Sequence, residues 1–240
     1  MPYDSLIIPF SYYFSKNSDK PTGNIKSYLE TIFWHTSLSE AYSNSSNQEI
    51  AKDLEKIKTI LIKKEKPEFE FTKAQLINTH KIEADGEFKP SRSFIKAILC
   101  CLNKQNIQNI FSGSNIILEN DWLKQSNSNQ YHHFFPKKYI TDRNKNKTLK
   151  KYNLVNNIAN IVLIDAQANQ KIGAKGPEVY LPNCKKNIED NSGDFNSVLM
   201  SNLLPKFDDE FELYADFDSF IDWRIKKIVD TVRDTIKIIE

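Results

Sequence analysis

Residues 130–181 read QYHHFFPKKYITDRNKNKTLKKYNLVNNIANIVLIDAQANQKIGAKGPEVYL, and this stretch decides the fold. Two of the chain's four histidines, His132 and His133, stand side by side at the end of a short strand-like run, and Phe134-Phe135-Pro136 then turns the chain. Asn160 follows His133 by 27 residues and opens a second strand-like run, Ile161 to Ile164. Asn169 comes next, and QKIGAKGPEVYL reads as a short helix that stops near Gly173 or Gly176. A strand ending in histidine, a return strand and a helix carrying the last polar side chain make a ββα plan.

Outward from this stretch, the chain reads as helical. IKSYLETIFW places Ile25, Leu29, Ile32 and Phe33 on one helical face. Ser46 and Glu49 have the spacing of a capping box, opening a helix with Ile50, Leu54, Ile57 and Leu61 inward. SRSFIKAILCCLNKQ is apolar nearly all round, which predicts a buried central helix in which Cys100 and Cys101 pack as small hydrophobes. The C-terminal run from Phe217 to Ile239 repeats apolar residues at helical spacing behind an aspartate-rich start, where carboxylates favour the positive end of the helix dipole. SNSNQ at 126–130 and the Asn/Lys-rich run at 141–151 read as loops, the second in a solvent-facing insertion.

Composition narrows the class. With 40% hydrophobic residues in 240, the chain buries a real core, so wholesale disorder is excluded. Six glycines argue against a Gly-rich nucleotide-binding fold. No apolar run approaches the roughly 18 residues of a membrane span. The three cysteines form no CxxC pair, so the expected setting is a reducing cytoplasm, with no membrane partner. Charge is unevenly placed: residues 137–186 carry eleven bases against three acids (+8), and residues 187–240 carry thirteen acids against six bases (−7). Such a basic block suits a polyanion-binding surface or a merely solvated one.

The HH-Phe-Phe-Pro run, Asn160 with its following strand, and the nine-residue step to Asn169 resemble the HNH (His-Me finger) endonucleases. Within them the chain is most similar to the C-terminal nuclease module of GmrSD-type modification-dependent restriction proteins. The core resemblance covers about 50 residues, and a weaker likeness extends it to YDSLIIPF and SLSEAYSNSSN. It implies His133 as general base, with His132 and Asn169 on one divalent metal ion and Asn160 at the family's middle asparagine. That asparagine is counted with the catalytic set but is better suited to bracing the finger. The metal expected is Mg²⁺, with Mn²⁺, Co²⁺, Ni²⁺ or Zn²⁺ acceptable to a site of neutral donors. Lys137, Lys138, Lys171 and Lys175 would bind DNA phosphates as point charges; for Lys171 and Lys175, exposed helix lysines are an equal reading. No acidic residue precedes His133, which departs from the commoner pattern. Partners implied are DNA, a separate nucleotide-dependent ParB-like sensor domain or subunit, and a second copy in a homodimer. No DGQQR-type motif and no P-loop stand in this chain, so no NTPase activity is carried over.

The expected fold is therefore α+β and mostly α: a helical region over 1–125, an embedded ββα-metal finger over 126–186, and a C-terminal helical segment over 187–240. The expected function is a metal-dependent DNA endonuclease of a restriction or phage-defence system, hydrolysing phosphodiester bonds. The alternative is a non-catalytic nucleic-acid- or partner-binding helical protein with a degenerate finger. The nuclease reading expects the paired imidazoles and the Asn169 carboxamide to gather around one cation.

Overall fold

The computed structural model describes residues 1–43, 46–116, 129–165, 170–236 and 238, with the backbone alone at 129, 130 and 165. Three helices, α1 (Ile7–Lys16), α2 (Gly23–Leu38) and α3 (Ser46–Lys58), open the chain. Their apolar stripes close a small core of Tyr13, Leu29, Ile32, Ile57 and Ile60. α2 runs further than its first apolar face requires, because Trp34 and Leu38 reach into a second and larger core. Ser46 is itself the first helical residue of α3, so it does not sit where an N-cap would. A capping box is formed by Thr72 with Gln75, at the start of the short α4 (Lys73–Leu76).

The larger core is built around α6 (Ser93–Asn103), which follows α5 (Thr79–Asp85). Phe94, Ile95, Ala97, Ile98, Leu99, Cys101 and Leu102 are all buried, as an apolar-all-round helix requires. Burial pushes the Cys101 thiol up to about 12, so it packs rather than reacts, whereas Cys100 lies on the exposed side.

Two strands, β1 (Asn129–His133) and β2 (Ile161–Asp165), pair antiparallel with His133 opposite Ile161 and Asn129 opposite Asp165. Ile161 to Ile164 are buried on both faces of this ribbon. Residues 170–172 are helical and end at Gly173, whose positive φ of 57° lets the chain turn. A second helix then begins where the sequence suggested a stop: Gly176 is the N-cap and Pro177 the first residue of α8 (Pro177–Asp190), a position that suits proline's fixed φ.

The stretch between the strands is loop only in part, with residues 147–151 in neither helix nor strand. It folds into α7 (Lys137–Arg143) and three short 3-10 turns, at Asn144–Asn146, Tyr152–Leu154 and Ile158–Asn160. Ile140, Leu154, Ile158 and Ala159, on either side of the Asn/Lys-rich run, are buried, while residues 141–151 are exposed or half-buried, as in a solvent-facing insertion. Of SNSNQ, residues 129 and 130 begin β1, and 126–128 lie outside the described residues.

α9 (Phe195–Ser201) and the long α10 (Phe217–Thr235) complete the core. α10 buries Phe217, Phe220, Ile221, Ile225, Ile228, Val229 and Val232, with Asp216 capping its start. The larger core thus runs from Trp34 to Ile236 and draws on all three stretches that the sequence divides. The architecture is α+β and mostly α, with one small two-stranded sheet among the described residues. No helix among the described residues is long and apolar enough to cross a membrane.

Candidate functional site

Alternation along β1 decides how its two histidines are used. Successive strand residues leave on opposite faces, so the imidazoles of His132 and His133 point apart. His133 shares its face with Tyr131, which packs on Phe88 with ring centroids 4.8 Å apart. His132 takes the other face and is 8% exposed. The expected gathering of both imidazoles with the Asn169 carboxamide around one cation involves a residue outside the described ones.

The His133 ring is half-buried, and its Nε2 lies 3.0 Å from Asn156 Oδ1. A carboxamide oxygen only accepts, so Nε2 carries the proton and Nδ1 is the basic nitrogen. The carboxamide is oriented from behind. Asn156 Nδ2 donates to the Phe88 carbonyl at 3.4 Å, and the Asn156 carbonyl accepts from the Phe88 amide at 2.7 Å. Burial pulls the imidazole below its ordinary pKa; Lys137 adds to this, and the bond to Asn156 opposes it. The ring is therefore neutral at pH 7 and able to take a proton.

Asn160 is fully buried and spends its carboxamide on backbone. Its Oδ1 accepts from the Phe135 amide at 2.9 Å, and its Nδ2 donates to the Phe135 and Val155 carbonyls at 3.0 and 2.9 Å. The Phe134 amide also donates to the Asn160 carbonyl, at 2.8 Å. These bonds lock the turn after His133 to the start of β2. The two phenylalanines anchor the same turn from below. Phe134 stacks on Phe220 at 4.9 Å, and Phe135 packs on Phe217 and Phe220. The Tyr180 hydroxyl donates to the Phe134 carbonyl at 2.8 Å.

Lys137 and Lys138 are exposed at the start of α7, and Lys171 and Lys175 are exposed around the helical turn at 170–172. Lys137 is close enough to His133 to bias its protonation. Other members of the basic block are committed inside the molecule. Lys151 Nζ binds Glu83 at 2.6 Å and Asp222 at 2.9 Å, while its amide and that of Lys150 donate to the Asp218 carboxylate at 2.9 Å. Arg143 donates to the Ala215 carbonyl at 2.8 Å, and Lys185 pairs with Asp208 at 2.6 Å. Part of the basic block therefore faces the acidic C-terminal stretch rather than solvent.

Of the expected metal-binding pair, His132 is described, and Asn169 lies outside the described residues. Among the described residues no three His, Cys, Asp or Glu side chains form a group that could hold a metal ion. An imidazole with a carboxamide is a chemically fitting donor pair for one divalent cation that fills its other positions with water and phosphate. The side chain of Asp165 is also outside the described residues.

Sequence reasoning missed Asn156. Asparagine is 24 of the 240 residues, so Asn156 in LVNNIAN carries no signal by itself. Its spacing four residues before Asn160 gains meaning only once the 3-10 turns bring it over the strand. No family model, no curated protein and no solved structure matches this chain.

Proposed function

We propose that this chain is a phosphodiester hydrolase of the HNH kind acting on DNA, with His133 as its general base. The observation that carries the reading is a neutral, oriented imidazole at the end of a hairpin strand, with a buried asparagine bracing the turn behind it. In this reading His133 Nδ1 takes the proton of the attacking water, and the Nε2–H bond to Asn156 keeps the ring aimed while its charge changes. Lys137, Lys138, Lys171 and Lys175, all exposed, hold the DNA backbone as point charges. His132 and Asn169 would hold the divalent ion, Mg²⁺ first, which when bound supplies charge stabilisation at the phosphoryl oxygens. Asn160 acts on the backbone and not on substrate. A restriction or antiviral role, a separate nucleotide-dependent sensor and a two-fold dimer belong to the same proposal.

Incubating the purified chain with plasmid in Mg²⁺, Mn²⁺ or Ni²⁺ tests it. Nicking by the wild type and not by His133→Ala is the expected result; equal nicking by both proteins would refute the assignment.

A second reading, a non-catalytic nucleic-acid- or partner-binding protein with a degenerate finger, is favoured by one observation. No acidic side chain stands immediately before His133, where the commoner pattern has a metal ligand. DNA affinity that falls steeply with salt, with no cleavage in any of the three metals, would select it.

A further inference from the structure

Arg224, on α10, is a cationic side chain inside the larger core, 2% exposed. Among the described residues no carboxylate pairs with it; the groups that bear on its charge are the phenols of Tyr180 and Tyr214. Its guanidinium lies near the Phe220 ring, 6.0 Å from the centroid. Its Nη donors go to backbone, Nη1 to the Ala159 carbonyl at 3.1 Å and Nη2 to the Ile161 and Asn202 carbonyls at 2.7 and 3.2 Å, while the buried Nε has no hydrogen-bond partner among the described residues. Burying an unpaired charge is costly, and an apolar side chain of similar volume would fill the space without that cost. What the guanidinium adds is a planar fork aimed at fixed carbonyls. Two of those carbonyls flank Asn160, the residue that ties the turn after His133 to β2.

We propose that Arg224 is a positioning residue for His133: by fixing the backbone on either side of Asn160, it holds the Asn160 carboxamide in register with Phe135 and so sets the imidazole against Asn156. The chain of contacts is short. Arg224 grips residues 159 and 161, Asn160 grips Phe135, and His133 lies two residues before Phe135. The Asn202 carbonyl fixes the guanidinium from the other side, at the end of α9. The inference rests on reading His133 as the base, and it makes α10 part of the site's construction although α10 lies outside the finger.

Arg224→Met and Arg224→Lys test it together. Methionine fills the volume without donors; lysine keeps a charge but cannot present a planar fork to both carbonyls. In folded variants the turnover number is expected to fall by about tenfold or more, as for a misplaced reacting group, with KM for plasmid little changed. The NMR signal of the His133 Nε2–H is expected to lose its protection in both. A folded variant that keeps the wild-type turnover number and the wild-type imidazole signal overturns the proposal. If the wild type cleaves no DNA in any metal, the nuclease reading fails alone, because the imidazole signal still decides the role of Arg224. If neither variant folds, hydrogen exchange on the wild type decides. The Phe134 and Phe135 amides should then exchange as slowly as those in the middle of α10, and exchange at the rate of exposed amides would overturn the brace.

Discussion

A buried imidazole, His35 beside Phe71, and a half-buried one, His133 at the end of β1, show how burial serves different ends. His35 is 5% exposed, and its Nε2 accepts the Phe71 amide at 3.1 Å. The basic nitrogen is thereby consumed by the backbone, and the ring stacks on Phe71 with centroids 5.5 Å apart. Nearby Asp53, also buried, accepts from Thr36 and Tyr42 at 2.7 Å and pairs with Lys56 at 2.7 Å. That cluster satisfies itself. His133 has the reverse arrangement: a side-chain oxygen takes its N–H, and in the proposed reading the basic nitrogen, Nδ1, takes the proton of water. Burial lowers both rings, so a depressed pKa alone does not separate a structural histidine from a reactive one. The partner of each nitrogen does.

The sharpest way to break this contrast is to remove each ring. His133→Ala is expected to lower plasmid nicking by about 10²- to 10⁴-fold, the usual contribution of a general base, with thermal stability nearly unchanged. His35→Ala is expected to leave nicking unaltered and to lower the melting temperature. Reversal of these two outcomes would exchange the roles given to the rings.

Acid gives the next largest effect, and it belongs to His35. Burial first, and Lys56 second, bring its pKa down from 6.5 to about 4, against opposing pulls from Asp53 and Glu49. The unfolded chain therefore binds this proton at a higher pH than the folded one. Its contribution is complete above about 6.5 and drains away as pH falls towards 4, amounting to roughly 3 kcal/mol. Urea titrations of the wild type and of His35→Ala at pH 7, 5.5 and 4 measure it. The difference between the two should shrink as acid is added, and a constant difference would mean that the ring does not titrate there.

Asn156→Asp is a finer probe. A carboxylate on the Nε2–H stabilises the imidazolium, so the acid limb of the rate profile should move up by about one pH unit. Nicking measured from pH 5 to 8 reads this, and an unmoved limb would detach Asn156 from the base. Lys137→Gln should give the smallest change. Removing a cation that disfavours protonation lifts the same limb by a few tenths of a unit, with weaker DNA binding at low salt.

The helices were legible because their signal is periodic and local. α6 and α10 are the clearest cases, with apolar residues at helical spacing and, for α10, an aspartate at the cap. The β1–β2 pair was legible from the histidines and the NIVLI run, because a short strand buried on both faces is written as an unbroken apolar run. The insertion between the strands was legible only in part: its 141–151 run faces solvent as expected, but its helix and 3-10 turns were not legible. Its order comes from tertiary partners, such as Asp218 holding the Lys150 and Lys151 amides, and no local pattern encodes them. The divergence of His132 and His133 followed from the strand assignment itself, since period-two alternation separates neighbours. Asn156 and Arg224 were hidden for another reason. Each acts through backbone brought in from far along the chain, Phe88 for one and Ala159 and Ile161 for the other.

The span between Arg224 and the carbonyls it holds has a consequence for synthesis. The guanidinium lies 65 residues downstream of Ala159, so the hairpin leaves the ribosome while its clamp is still being translated or sits in the exit tunnel. A nascent chain would thus expose the hairpin before the carbonyls on either side of Asn160 had their guanidinium partner. The turn after His133 would gain that brace only once α10 docks.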